Sequence, residues 1–98
     1  MISVVVPALN ESRALPATLA RLLAEPGPFE TIVVDGGSDD DTVAIAATHA
    51  GVRVITAPRD RARQMNAGAR IATGDLLLFL HADTLLPAGA MTRDFPLT

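Results

Sequence analysis

Apolar residues fall in four short runs along this chain, and polar residues collect at the end of each. Ile2-Ser3-Val4-Val5-Val6 is β-branched and is closed by Pro7, which cannot extend a ladder of hydrogen bonds. Thr31-Ile32-Val33-Val34, Val52-Arg53-Val54-Ile55 and Leu76-Leu77-Leu78-Phe79-Leu80 are the other three. Their shortness and their bounding residues predict strands. The run at 76–80 has no polar interruption, which predicts a central strand buried on both faces.

Between the runs the apolar spacing becomes helical. Leu15, Leu19, Leu22 and Leu23 share one helical face; Ser12 is the expected cap, Pro16 falls in the first turn, and Pro26-Gly27-Pro28 is the stop. Ser38-Asp39-Asp40-Asp41 has the form of a capping box with Ser38 as cap, opening a second helix that runs to about Ala50 and is closed by Gly51. A third helix is expected from near Asp60, with Ala62, Met65, Ala69 and Ala72 on its inner face and Gly74 as its stop. The order β-α-β-α-β-α-β predicts an α/β fold: a Rossmann-like, doubly wound, mostly parallel sheet in three α/β/α layers. The loops at 7–11, 35–41, 58–63 and 81–84 then gather at one edge of the sheet, where open α/β sheets bind their ligands.

Composition narrows the partners. The chain has 98 residues, enough for one modest domain, and 49% of them are hydrophobic. Its three aromatic residues are all Phe, so no Trp or Tyr platform exists for stacking bases. The net charge of −3 also opposes a nucleic-acid partner. There is no Cys, hence no disulfide or thiolate metal site. No apolar run approaches the roughly 20 residues of a membrane span, and no signal-like segment opens the chain, so a cytoplasmic protein is expected.

Candidate chemistry sits in the gathered loops. Asp35 follows a strand directly, where a carboxylate can accept hydrogen bonds from a nucleoside base or ribose, and Gly36 and Gly37 allow close backbone approach. Asp39, Asp40 and Asp41 read as an acidic helix start. Arg59, Arg61 and Arg63 are either phosphate-binding forks, with one of them on phosphate, or a solvated basic turn; on a helix Arg59 and Arg63 share a face. His81 and Asp83, two apart on an extended strand, face the same way and can converge on one ion, although a strand-end Asp is also an ordinary turn residue. A hard cation bridging Asp83 to substrate phosphates fits this placement. His49 lies near a helix end and carries no chemistry. A phosphoacceptor receiver domain is excluded by the absence of Lys, and a dinucleotide dehydrogenase by the absence of Gly-x-Gly-x-x-Gly after the first strand.

Three stretches, Val4-Val5-Val6-Pro7-Ala8-Leu9-Asn10-Glu11, Val33-Val34-Asp35-Gly36-Gly37-Ser38-Asp39-Asp40-Asp41-Thr42 and Phe79-Leu80-His81-Ala82-Asp83-Thr84, resemble the family-2 glycosyltransferases of the GT-A fold. Gln64-Met65-Asn66-Ala67-Gly68 and the last stretch are similar to one small bacterial subgroup, named for genomic association with radical-SAM and selenium-related proteins. The resemblance runs from Ile2 to about Pro87. It implies a nucleoside diphosphate sugar as donor, an unknown acceptor, and Mn²⁺ or Mg²⁺ held on the diphosphate by Asp83. It also implies that Pro7, Leu9, Glu11 and Asp35 line the nucleoside pocket. Arg61, Arg63 and His81 complete the candidate donor-binding set.

Two positions depart from the family's pattern. Gly36 stands where many relatives have a second Asp, and His81 where the first Asp of Asp-x-Asp is usual. In the family the acceptor half and the catalytic base follow that motif. Here fourteen residues follow Thr84, and none is identifiable as the base, Asp94 sitting too near the metal motif. The expectation is therefore that residues 1–98 form one truncated donor-binding domain with its base unassigned. The alternative is a non-catalytic α/β module that keeps the sheet as a scaffold for self-association, as a homo-oligomer, or for nucleotide binding.

Overall fold

The computed structural model describes residues 1–91; Asp94 lies outside them. Strands β1 (Ile2–Ala8), β2 (Phe29–Asp35), β3 (Val52–Thr56) and β4 (Leu76–Phe79) alternate with helices α1 (Leu15–Leu23), α2 (Thr42–Ala47) and α3 (Arg61–Ile71). The strands lie in the order β3-β2-β1-β4, with every neighbouring pair parallel. Helices α1 and α2 cover one face and α3 the other, so the doubly wound α/β/α expectation holds. Among the described residues no helix is long and apolar enough to cross a membrane.

Alternation along β1 divides the core in two. Val4, Val6 and Ala8 join Val33, Leu15, Leu19, Leu22 and Ala46 beneath α1 and α2. Val5, Ile32 and Val34 pack under Ala67, Ile71 and Ala72 at α3. Gly68 sets how near α3 comes: a Cβ there would lie 2.4 Å from a Val5 methyl, well inside contact distance. The inner face of α3 is therefore Gln64, Ala67, Gly68 and Ile71 rather than the expected Ala62, Met65 and Ala69. The smallest residue, not the most apolar one, decides which face can approach.

The helix starts also differ from expectation. Ser12 does not cap α1, which opens after Ala14 without a side-chain cap; the Ser12 amide instead donates to Asp40 Oδ2 at 3.2 Å. Pro16 does fall in the first turn. Ser38 does not cap α2, because the strand-end carboxylate of Asp35 takes its hydroxyl at 2.5 Å. Helix α2 starts only at Thr42 and stops at Ala47, short of Ala50. Asp60 does cap α3, accepting from the amides of Ala62 at 2.9 Å and Arg63 at 3.4 Å.

Strand β4 is the largest correction. It is an edge strand, not a central one, and Leu76, Leu77 and Phe79 are 41%, 40% and 40% exposed. Two causes act together. Among the described residues nothing pairs with its outer side, and α3 lies over β1 and β2, leaving Leu77 and Phe79 uncovered on that face. Leu78, on the other face, packs against the α1–α2 core.

Beyond β4 the chain is tied to α1. The Leu80 amide continues the ladder to Val5 O at 3.0 Å, and the Thr18 hydroxyl donates to Ala82 O at 2.7 Å. Arg21 donates twice to Leu86 O, and Glu25 accepts from the amides of Gly89 and Met91. Those two amides hold the Glu25 carboxyl below its ordinary pKa.

Candidate functional site

Parallel strands place all their following loops on one side, and a cavity with a volume of about 580 Å³ opens there. Pro7, Ala8, Leu9 and Glu11 line it from the end of β1. Arg59, Asp60, Arg61 and Gln64 line it from the start of α3, and His81, Ala82 and Asp83 from beyond β4. Six of the sequence-derived candidates thus meet in one space: Pro7, Leu9, Glu11, Arg61, His81 and Asp83. A smaller apolar recess of about 260 Å³ adjoins it, between Met65 of α3 and Phe79 and Leu80.

Two candidates do not line the cavity. Asp35 is 2% exposed and turned onto its own loop, where Oδ2 accepts from the amides of Gly37 and Ser38, both at 2.9 Å, and Oδ1 takes the Ser38 hydroxyl. Its carboxylate shapes the turn that follows β2. Arg63 lies one helical step past the rim. Arg59 precedes the α3 cap, so it shares no helical face with Arg63; it reaches back to Gly37 O at 3.2 Å.

The loops after β1 and β2 are stitched together. Asn10, in the left-handed region at φ 52°, donates its amide to the Ser38 hydroxyl and accepts the Asp39 amide on Oδ1, both at 2.8 Å. Asn tolerates that backbone region because its short side chain bonds locally. The Glu11 amide reaches the Thr42 hydroxyl at 2.9 Å. Asp40 completes the frame, taking the Thr42 hydroxyl and amide and the Ser12 amide. Those donors, the Thr42 hydroxyl first, lower the Asp40 pKa from its ordinary 3.8 to about 2. Of the three acidic residues it is Asp40 whose carboxylate belongs to the framework; Asp41 stands at the N-cap of α2 without a side-chain cap bond.

Sequence reasoning missed Gln64. The residue is 4% exposed, and its Nε2 donates to Ala8 O and Val34 O, both at 3.0 Å, bridging the ends of β1 and β2. A Cβ at residue 36 would meet that amide at 2.9 Å, so Gly36 leaves the space the amide fills. The available signal was a polar residue four before Gly68, on the same helical face as the closest backbone approach.

His81 and Asp83 do not lie on an extended strand. The chain turns after β4, with the Thr84 amide donating to His81 O at 3.0 Å, and both side chains are carried to the same cavity by that turn. Asp83 is exposed, and its carboxylate accepts no hydrogen bond from the described residues. Among those residues no three His, Cys, Asp or Glu side chains cluster as a closed metal site. Mg²⁺ and similar hard cations are held by one or two carboxylates plus substrate phosphates, and an unengaged Asp83 beside Arg59 and Arg61 suits that arrangement.

Comparison with known proteins agrees with the fold. The sequence model of Glycosyl transferase family 2 matches residues 3–93. A PGL/p-HBAD biosynthesis glycosyltransferase of Mycobacterium tuberculosis is 43% identical over 102 residues, covering 95% of this chain and 40% of its own. The chain spans about two fifths of the length of such curated relatives. The structure of S. aureus TarS 1–349 in complex with UDP superposes with a TM-score of 0.74 at 27% identity, over 84% of this chain and 27% of that one. A mannosyltransferase from Pyrobaculum calidifontis in complex with GDP-Man and Mn²⁺ gives a TM-score of 0.77 at 30% identity, over 89% of this chain and 28% of its own. Strand order, strand-end cavity and sequence match converge, and the chain belongs to Glycosyl transferase family 2.

Proposed function

We propose that this domain binds a nucleoside diphosphate sugar, with a divalent metal on the diphosphate, and takes part in transferring the sugar to an acceptor. The observation that carries the reading is the convergence of Glu11, Arg59, Arg61, His81 and Asp83 on one strand-end cavity. Structural neighbours solved with UDP and with GDP-Man and Mn²⁺ support the ligand class.

Strand order supports a placement for the two ends of the ligand. The closed frame at β1 and β2 takes the nucleoside, bordered by Pro7, Leu9 and Glu11. The turn beyond β4 takes the diphosphate, two strands away from β2 and so about 10 Å across. Asp83 holds Mn²⁺ or Mg²⁺ there, and the ion, when bound, neutralises charge on the departing diphosphate. Arg59 and Arg61 add cationic forks on the nearer rim, and His81 contributes a neutral or donating edge that carries no negative charge toward the ion.

Calorimetric titration with UDP and GDP, each with and without Mn²⁺, tests this directly. One of the two is expected to bind, more tightly with the metal. Asp83→Ala should abolish the metal's contribution and leave metal-free binding in place. Absence of binding by both nucleotides, in both conditions, would overturn the reading.

A further inference from the structure

Thr18 and Arg21 of α1, with Glu25 just past its end, fall on one helical stripe, and each holds the main chain that follows β4. The Thr18 hydroxyl donates to Ala82 O at 2.7 Å, and Arg21 donates to Leu86 O at 3.2 and 2.9 Å. Glu25 accepts the amides of Gly89 at 3.0 Å and Met91 at 2.8 Å. The Thr18 bond lies nearest the site. A Thr within a helix ordinarily bonds back to the carbonyl four residues earlier. Here that carbonyl, Ala14 O, is 3.2 Å away and Ala82 O is closer, so the single hydroxyl proton is directed mainly out of the helix.

A peptide group is planar, so Ala82 O belongs to one rigid unit with the amide and Cα of Asp83. Holding that oxygen fixes the plane from which the Asp83 side chain departs. The Thr84 amide, bonded to His81 O, closes the turn from the other side. Exposure alternates here: His81 and Asp83 are exposed and line the cavity, whereas Ala82 is buried in the core beneath α1 and α2. The Asp83 carboxylate accepts no hydrogen bond from the described residues, so its aim comes from its backbone. Resting on the donor-binding reading above, we infer that Thr18, which is fully buried and does not line the cavity, is the positioning residue that aims the Asp83 carboxylate. A group aimed beforehand loses less freedom when the metal and diphosphate arrive.

The test is calorimetric titration with UDP and GDP, with and without Mn²⁺, on the native chain, Thr18→Val and Thr18→Ser. Thr18→Val keeps the side chain's shape and removes its donor. The gain in affinity that Mn²⁺ brings should fall about tenfold, while metal-free binding stays within about twofold of native. Thr18→Ser restores the donor and should restore the gain. A Thr18→Val chain that keeps the full gain, or that weakens binding equally with and without metal, would overturn the inference. So would a Thr18→Ser chain that behaves like Thr18→Val. Nuclear magnetic relaxation of the native chain without ligand needs no variant. The Asp83 amide should show an order parameter of about 0.85, that of rigid backbone, and a value below about 0.6 would overturn the inference even if Thr18→Val fails to fold. All of these results leave donor binding intact. Absence of nucleotide binding by the native chain would instead overturn the donor reading, and this inference with it.

Discussion

The two sides of the sheet's carboxyl edge are built to different standards. On the β1–β2 side the loops are cross-linked through Asn10, Ser38, Asp40 and Thr42, and Gln64 closes them from beneath. On the β4 side the strand is half uncovered, and the segment after it is tied to α1 mainly through its backbone carbonyls and amides, while Asp83 stands unengaged. On the donor-binding proposal, the difference teaches where each part of the ligand's binding free energy would arise: a nucleoside would meet a preorganised surface, whereas the diphosphate and its cation would complete a surface that the protein leaves open.

The sharpest way to break this comparison is in the core. Leu22→Ala, in the buried core under α1, should cost about 2–5 kcal/mol of stability, whereas Leu77→Ala on the exposed face of β4 should cost about 1 kcal/mol or less. Chemical denaturation of both variants checks the pair, and equal losses would remove the asymmetry. Gly68→Ala comes next. Its new methyl collides with Val5, so a loss of about 1–3 kcal/mol is expected, along with weakened nucleotide binding as α3 carries Gln64 outward.

Acid should act at the two opposite edges of the sheet through different carboxylates. Asp40 is lowered to about 2 by Thr42 and Ser12, and Glu30 is lowered by the Thr73 amide and the Ser3 hydroxyl. A depressed folded-state pKa gives stability that is present above the unfolded value and is lost as pH falls through the folded one. Unfolding midpoints measured from pH 5 to pH 2 should therefore fall throughout that range. The Asp40 part is confined to the interval from its ordinary 3.8 down to about 2, and Asp40→Asn should flatten the curve there. The smallest effect on stability is expected at Asp83, where Ala should leave the midpoint unchanged while abolishing metal-dependent nucleotide binding. A large drop in the midpoint would show Asp83 to be framework.

Much of this was legible in the chain. Element order, parallel topology and the convergence of four loops follow from alternating apolar periods, and Pro7, Leu9, Glu11, Arg61, His81 and Asp83 do share a cavity. What escaped was set by geometry that periodicity does not encode. The apolar run at 76–80 looks central because its residues are uniformly apolar, yet exposure depends on which strand has a neighbour and where α3 lands. Gly68 decided that landing through the absence of a side chain, which carries no hydrophobic signal. Ser38 fits both a helix cap and a turn closed on Asp35; its hydroxyl bonds Asp35 and forms the turn. Gln64 was quoted as part of a motif but not read as a bridge, because its partners are main-chain carbonyls from strands 56 and 30 residues away.

The most direct measurement of the central claim is a nuclear magnetic resonance titration of the isotope-labelled chain with UDP or GDP in the presence of Mg²⁺. The account predicts backbone shifts confined to residues 7–11, 36–38, 59–64 and 81–84, with the last group moving only when the metal is present. Shifts gathered instead at the opposite edge of the sheet, around Met1, Phe29 and Asp75, or none anywhere, would contradict it.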